Sequence, residues 1–218
     1  MEEKEHIRKS ILIPAVFVLV IWLIKIVETA AGISFVTYGV YPHNVFGLIG
    51  ILTFPLIHGS WGHLFSNTFP VLFLAIGVLY FYKTSAMKVL LMSYFIPGIG
   101  IWLFGRESYH IGASAIIYSL VTFLFFSGVI RRDKRAISLA LIVTFFYGGL
   151  VWGVLPLKRE ISWEGHLFGA LTGIAAAIIF RKKDPYKRYD WEDEDDNDDY
   201  TQPDKLEISY KKGYPFED

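Results

Sequence analysis

The chain has 218 residues, 53% hydrophobic and 17% aromatic, and its 21 basic and 21 acidic side chains cancel. The cancellation conceals a partition, because residues 1–183 hold 16 Lys/Arg against 8 Asp/Glu while residues 184–218 hold 5 against 13. No charged side chain occurs from Thr29 to Tyr82, from Ser108 to Ile130 or from Ala136 to Leu157, runs that exclude an ordinary soluble domain and indicate a polytopic membrane protein.

Six spans of roughly 20 apolar residues, the length that crosses a bilayer as helix, are predicted in chain order. The first covers 11–31, and because it runs on through Ala31 without a small-residue cleavage site, a cleaved leader is not expected. Lys25 and Glu28, three residues apart in it, read as a structural pair or as groups reaching the interface. Residues 32–60 are free of charge but broken by Gly39, Pro42, Asn44, Gly47, Gly50 and Pro55. They read as an outer loop in or on the membrane, since a span so rich in Gly and Pro would leave backbone groups unpaired in lipid. His43 belongs to this loop.

The remaining spans are predicted at 61–82, 86–104, 112–130, 136–154 and 162–180. Between the third and fourth, Arg106 and Glu107 read as a solvated loop pair and His110 as a residue edging a water entrance. Trp22, Trp102, Trp152 and Trp163 suit interfacial belts. Residues 184–218, with the run WEDEDDNDDY, hold too little apolar surface to offset ordering entropy and are expected to form a disordered acidic cytoplasmic tail. The chain thus divides into a short N-terminus over 1–10, a six-span domain over 11–183 and this tail. Fourteen basic residues lie at the N-terminus, in the second and fourth loops and after the last span, against Arg106, Lys158 and Arg159 in the odd-numbered loops. By the positive-inside rule both termini are cytoplasmic, and the second, fourth and sixth spans begin at the outer face.

Those three spans carry the polar residues that hydrocarbon penalises. Ser114 is predicted about two residues into the fourth, His166 about four into the sixth, and His63 and Asn67 about two and six into the second, so all lie at one outer depth at about 1.5 Å per residue. His63 and Asn67 share a helical face at i and i+4, as do Ser114 and Tyr118. Gly112, Ala113 and Ala115 flank Ser114, and the Gly169-xxx-Gly173 pair beyond His166 permits close helix approach. A serine within reach of an imidazole is a nucleophile with its general base. No carboxylate is at hand to orient His166 at this level, because Glu164, two residues earlier, points elsewhere and Glu28 lies on the first span, so the economical chemistry is a dyad. His63, Asn67 and the Ser114 N–H are the candidate donors to a developing oxyanion.

The three segments HGSWGHLFSN, GASAIIYSL and GHLFGALTG resemble, in order and spacing, the motifs of the rhomboid intramembrane serine proteases. The resemblance implies Ser114 as nucleophile, His166 as general base, His63 and Asn67 in the oxyanion hole, Tyr118 packed on the His166 ring and a structural role for His58. It also implies a six-helix all-α membrane fold with no cofactor, acting on single-span membrane proteins that enter sideways between the second and fifth spans. The departure is Ala115, where the common pattern has Gly, a methyl that could crowd the oxyanion site. Two other functions stand beside this one. A catalytically inactive relative that binds or escorts membrane helices would fit the Ala115 departure. A metal site on His58, His63 and His166 fits less well, since the His58–His63 gap of five is not the helical i, i+4 spacing and no carboxylate lies between them.

Overall fold

The computed structural model describes residues 2–147, 152–157 and 161–186. The expected tail beyond residue 186 and the charges Lys158 and Arg159 lie outside them. The helical unit ends at Pro185, and its longer helices among the described residues are α1 (Glu2–Ala31), α2 (Trp61–Phe81), α3 (Ala86–Phe104), α4 (Ser114–Arg131), α5 (Lys134–Tyr147) and α6 (Trp163–Ile179). Among the described residues there is no strand, only an isolated bridge between Val40 and His110. Among the described residues four helices, α1 to α4, are long and apolar enough to cross a membrane, and α6 is a shorter apolar helix of 17 residues.

Local chemistry sets the helix ends. Ser60 caps α2 by accepting from the His63 amide at 3.1 Å, and Ser162 caps α6 by accepting from the Gly165 amide at 3.3 Å. Asp133 does the same for α5 through the Arg135 and Ala136 amides. Arg132, at φ 57°, closes α4 in the left-handed conformation. The expected start of α4 at residue 112 is shifted: Gly112 adopts φ +108°, which no right-handed helix allows, and the helix begins at Ser114 itself. The N-terminal helix starts earlier than expected because its polar first turns are good helix formers, with Glu5 and Lys9 paired at 2.8 Å. The fifth helix is described only to Tyr147, and Trp152–Val154 form a 3-10 turn inside the segment expected to be span.

Residues 32–60 form short helical turns, Val36–Tyr38, Phe46–Leu48, Gly50–Thr53 and Phe54–Leu56, with Val45, Phe46 and Leu52 exposed. Hydrogen bonds tie this loop to α3, among them His43 Nε2 to the Leu103 carbonyl at 2.9 Å, Trp102 Nε1 donating to the Asn44 carbonyl at 2.9 Å and the Tyr94 hydroxyl donating to the Leu52 carbonyl at 2.6 Å. The centre of the unit is α4, whose Ile117, Leu120, Phe123 and Leu124 are fully buried. Along it runs α6 at glycine distance: a Cβ on Gly169 would strike the Ala115 carbonyl, and one on Gly173 the Ser119 carbonyl and the Thr122 hydroxyl. Large hydrophobics such as Leu19, Phe73, Leu103 and Phe145 face outward, the inverse of a water-soluble surface and the pattern of a lipid-facing one.

Candidate active site

The first residues of α2, α4 and α6 converge on one cavity of about 520 Å³, whose walls include Ser60, His63, Arg106, Ser114, Tyr118 and His166. Ser114 and His166, from helices brought together by the glycine seam, meet with Oγ to Nε2 at 2.9 Å, and both residues are buried. The other ring nitrogen, Nδ1, lies 2.8 Å from the Gly153 carbonyl. A carbonyl only accepts, so Nδ1 carries the proton, and in the neutral ring Nε2 is left to accept from the Ser114 hydroxyl. Tyr118, one turn after Ser114, stacks on the imidazole with centroids 4.1 Å apart and planes 14° apart. The ring is therefore fixed by a hydrogen bond at one end, a face-to-face contact, and the serine at the other end.

The Gly153 carbonyl is the orienting group that sequence reasoning did not find. Residue types point only to carboxylates for that role, and a backbone acceptor in a short 3-10 turn leaves no residue signature. The side chain would intrude there, since a Cβ on Gly153 would meet the Tyr118 hydroxyl and, at 2.9 Å, His166 Nδ1.

The oxyanion candidates gather around Gly112, two residues before Ser114. Gly112 packs on His63 so closely that a Cβ would lie 2.6 Å from Cε1 and 2.7 Å from Nε2, with Asn67 Nδ2 at 3.7 Å. His63 is half-buried and lines the cavity, whereas Asn67 is fully buried and does not. Because Ser114 opens α4, its amide is one of the N–H groups that a helix leaves without an internal partner. His58 lies beneath this corner: its Nε2 accepts from the Ala113 amide at 3.3 Å, and its ring meets His63 edge to face at 5.0 Å. It thereby holds the residue immediately before Ser114. Ala115 is buried with Val40, Phe54 and Ile101, and its methyl faces Gly165 of α6, 3.8 Å from where a Cβ there would be. It is not part of the cavity wall, so the departure from glycine is absorbed between helices rather than beside the nucleophile.

One polar group stands differently from expectation, and a second, His110, is held more firmly than its place on the cavity wall required. Arg106 pairs not with Glu107 but with Glu164, Nε to Oε1 at 3.5 Å, and its Nη2 donates to the Ile161 carbonyl at 2.6 Å. His110 is fully buried and bonded to Ser162 Oγ at 2.6 Å and to the Arg106 carbonyl at 3.1 Å. Its burial holds the imidazole below its ordinary pKa, against the opposing pull of the Arg106 carbonyl and Glu164. Lys25 and Glu28 do form a pair, at 2.7 Å and almost wholly buried, with Glu28 Oε1 accepting from the Phe35 amide.

A family model, the rhomboid domain, matches residues 45–183. An uncharacterized protein of Mycobacterium tuberculosis is 31% identical over 172 residues, 75% of this chain and 72% of the relative. One of Mycobacterium leprae is 30% identical over 173 residues, 75% and 68% of the two chains. The match spans all three motifs and well over half of the chain. With its apolar helices and outward-facing hydrophobics, this chain is an integral membrane protein and belongs to the rhomboid family of intramembrane proteases.

Proposed function

We propose that the protein is a serine endopeptidase that cuts single-span membrane proteins near the outer ends of their helices, using Ser114 and His166 as a dyad. The observation that carries this reading is the 2.9 Å Ser114–His166 contact together with the Gly153 hydrogen bond that selects the reactive tautomer. Ser114 Oγ attacks the scissile carbonyl while its proton passes to His166 Nε2. The resulting oxyanion is met by the Ser114 N–H and by His63, donors typically worth about 3 kcal/mol each, while Asn67, buried outside the cavity wall, reaches it only on a local shift of the Gly112 corner. Collapse breaks the peptide bond, His166 protonates the leaving amine, and water, activated by the same imidazole, hydrolyses the acyl ester.

The topology that goes with this chemistry has six spans and both termini cytoplasmic, in a bacterial cytoplasmic membrane. It puts the cavity at the outer face, where Ser60, Ser66 and Ser108 offer water a polar path. The loop over residues 32–60 then rests its exposed Val45, Phe46 and Leu52 in the outer leaflet. A substrate helix enters along the apolar groove between α2 and α5, about 760 Å³, whose walls include Phe65, Phe69, Phe73, Leu139 and Phe146. The direct test is labelling of the purified protein in detergent with a fluorophosphonate, followed by cleavage of a model membrane substrate. We expect both in the wild type and neither in Ser114→Ala or His166→Ala. Cleavage retained by Ser114→Ala would refute the proposal, and absence of labelling in the wild type would favour a non-catalytic helix-binding protein.

A further inference from the structure

We propose that the Arg106–Glu164 ion pair, closed by His110 and Ser162, is a positioning device that sets the distance between Ser114 Oγ and His166 Nε2; the proposal rests on the dyad reading above. The nucleophile's side of the site is held independently of α6. The loop before Ser114 is pinned by His110, whose backbone pairs with Val40 in both directions at 2.9 and 3.0 Å, by the Gly112 amide on the Phe54 carbonyl at 2.8 Å, and by Ala113 on His58. On the base's side, α6 lies against the backbone of α4 through its glycines. The face of α6 toward α4 carries Gly165, Gly169 and Gly173, a smooth seam that permits close approach but gives little interlocking. One hydrogen bond crosses that seam lower down, from Thr122 Oγ1 to the Ala170 carbonyl at 3.0 Å.

At the first turn of α6, two residues before His166, the register is fixed by polar contacts to the pinned loop. Glu164 Oε1 receives Arg106 Nε at 3.5 Å and the Arg106 amide at 3.4 Å, while Arg106 Nη2 reaches the Ile161 carbonyl. His110 Nε2–H donates to the Arg106 carbonyl, which leaves Nδ1 to accept from Ser162 Oγ, and Ser162 in turn caps α6 through the Gly165 amide. The four side chains thus form one closed connection between the loop that ends at the nucleophile and the turn that carries the base. Stability is a weak explanation for it. Glu164 is almost wholly buried, its Oε2 has no hydrogen-bond partner among the described residues, and a buried ion pair gains little over an apolar pair of similar volume. Geometry is the stronger one, since a displacement of about 1 Å at a reacting pair can cost about 100-fold in rate.

The test measures kcat and KM for a model membrane substrate, the rate of Ser114 acylation by a fluorophosphonate, and the His166 imidazole 15N resonances, in R106A, E164A, R106A/E164A and E164Q. Gln keeps an oxygen where Oε1 stands. We expect kcat and acylation to fall about tenfold or more in each single alanine variant with KM within about twofold, the double variant to lose no more than either single, E164Q to recover most of the loss, and the His166 Nε2 resonance to shift in E164A. A folded E164A with wild-type kcat, a change confined to KM, or fully additive losses would overturn the proposal. R106A, altered at a partly exposed side chain, carries the test should E164A not fold. If the wild type itself is not acylated, the dyad reading fails. The His166 resonances then decide positioning alone: a shift in E164A or R106A supports it, and unchanged resonances overturn it.

Discussion

His166 has three neighbours, and each acts on a different degree of freedom. The Gly153 carbonyl fixes the tautomer, Tyr118 fixes the ring plane, and Ser114 is the group to be deprotonated. Because the space around Gly153 is already filled by the Tyr118 hydroxyl and Nδ1, Gly153→Ala must tilt the ring or push the 3-10 turn away. Either change lengthens the contact to Ser114. We expect a loss of about 100-fold in kcat, comparable to other displacements of about 1 Å at a reacting pair, with the helical content unchanged; circular dichroism with substrate-cleavage kinetics would check it. Of this site, Ser114 and His166 were legible in the sequence, because a polar residue in hydrocarbon is conspicuous and helical spacing gives its depth, while the place of Tyr118 on the ring follows from the family resemblance. Gly153 was not, since a backbone acceptor looks like any glycine. The partner of Arg106 was not legible for a related reason: Glu164 is 58 positions away in the chain, whereas Glu107 is adjacent.

At the level of elements, the spans were legible where charge and length mark them, and their ends were not where conformation marks them. The end of α2 differs by one residue from expectation, whereas α4 begins two residues late because Gly112 takes a positive φ that composition does not announce. A second such feature is Asp184, expected as the first residue of a free tail. It instead accepts from the Thr84 and Ser85 amides at 2.6 and 3.0 Å and from the Ser85 hydroxyl at 2.6 Å, so the segment after α6 caps the start of α3. Desolvation raises the pKa of this carboxyl, but the hydrogen bonds from Ser85 and Thr84 outweigh it and hold the pKa below the ordinary aspartate value of 3.8. A depressed folded pKa stabilises the fold above the unfolded pKa, and that contribution disappears as pH falls through the folded one. Asp184→Asn is therefore expected to lower stability at pH 7 by about 1 kcal/mol, the size of an ordinary cap, because the carboxylate is only half-buried. Thermal unfolding of the two proteins should converge as the pH drops below 3.8. A constant gap across that range would mean the carboxylate's charge has no part in the contact.

For the whole molecule, the proposed hydrolysis must coexist with hydrocarbon, and a polar cavity and an apolar groove divide the task. The cavity above Ser114 is bordered by serines and by Arg106, while the groove between α2 and α5 is bordered by phenylalanines and aliphatic side chains. Water suits the first and a substrate helix the second. Toward the far end of the groove the helices close on each other, for Gly77 of α2 lies against Leu139 of α5 so tightly that a Cβ would collide with it. The opening must then widen from the end nearer Ser66, which lines both the cavity and the groove. The chain contains no cysteine, so a pair introduced at Phe69 and Val143, on opposite walls, can be bridged selectively by a bifunctional methanethiosulfonate. If substrate helices enter by this route, bridging will reduce cleavage of a membrane-embedded substrate by roughly tenfold or more. Fluorophosphonate labelling of Ser114 will persist, because a small reagent reaches the serine through the polar cavity, and reduction of the bridge will restore cleavage. Equal loss of both reactions would indicate that bridging deforms the dyad, and cleavage unaffected by a complete bridge would rule out entry between these two helices.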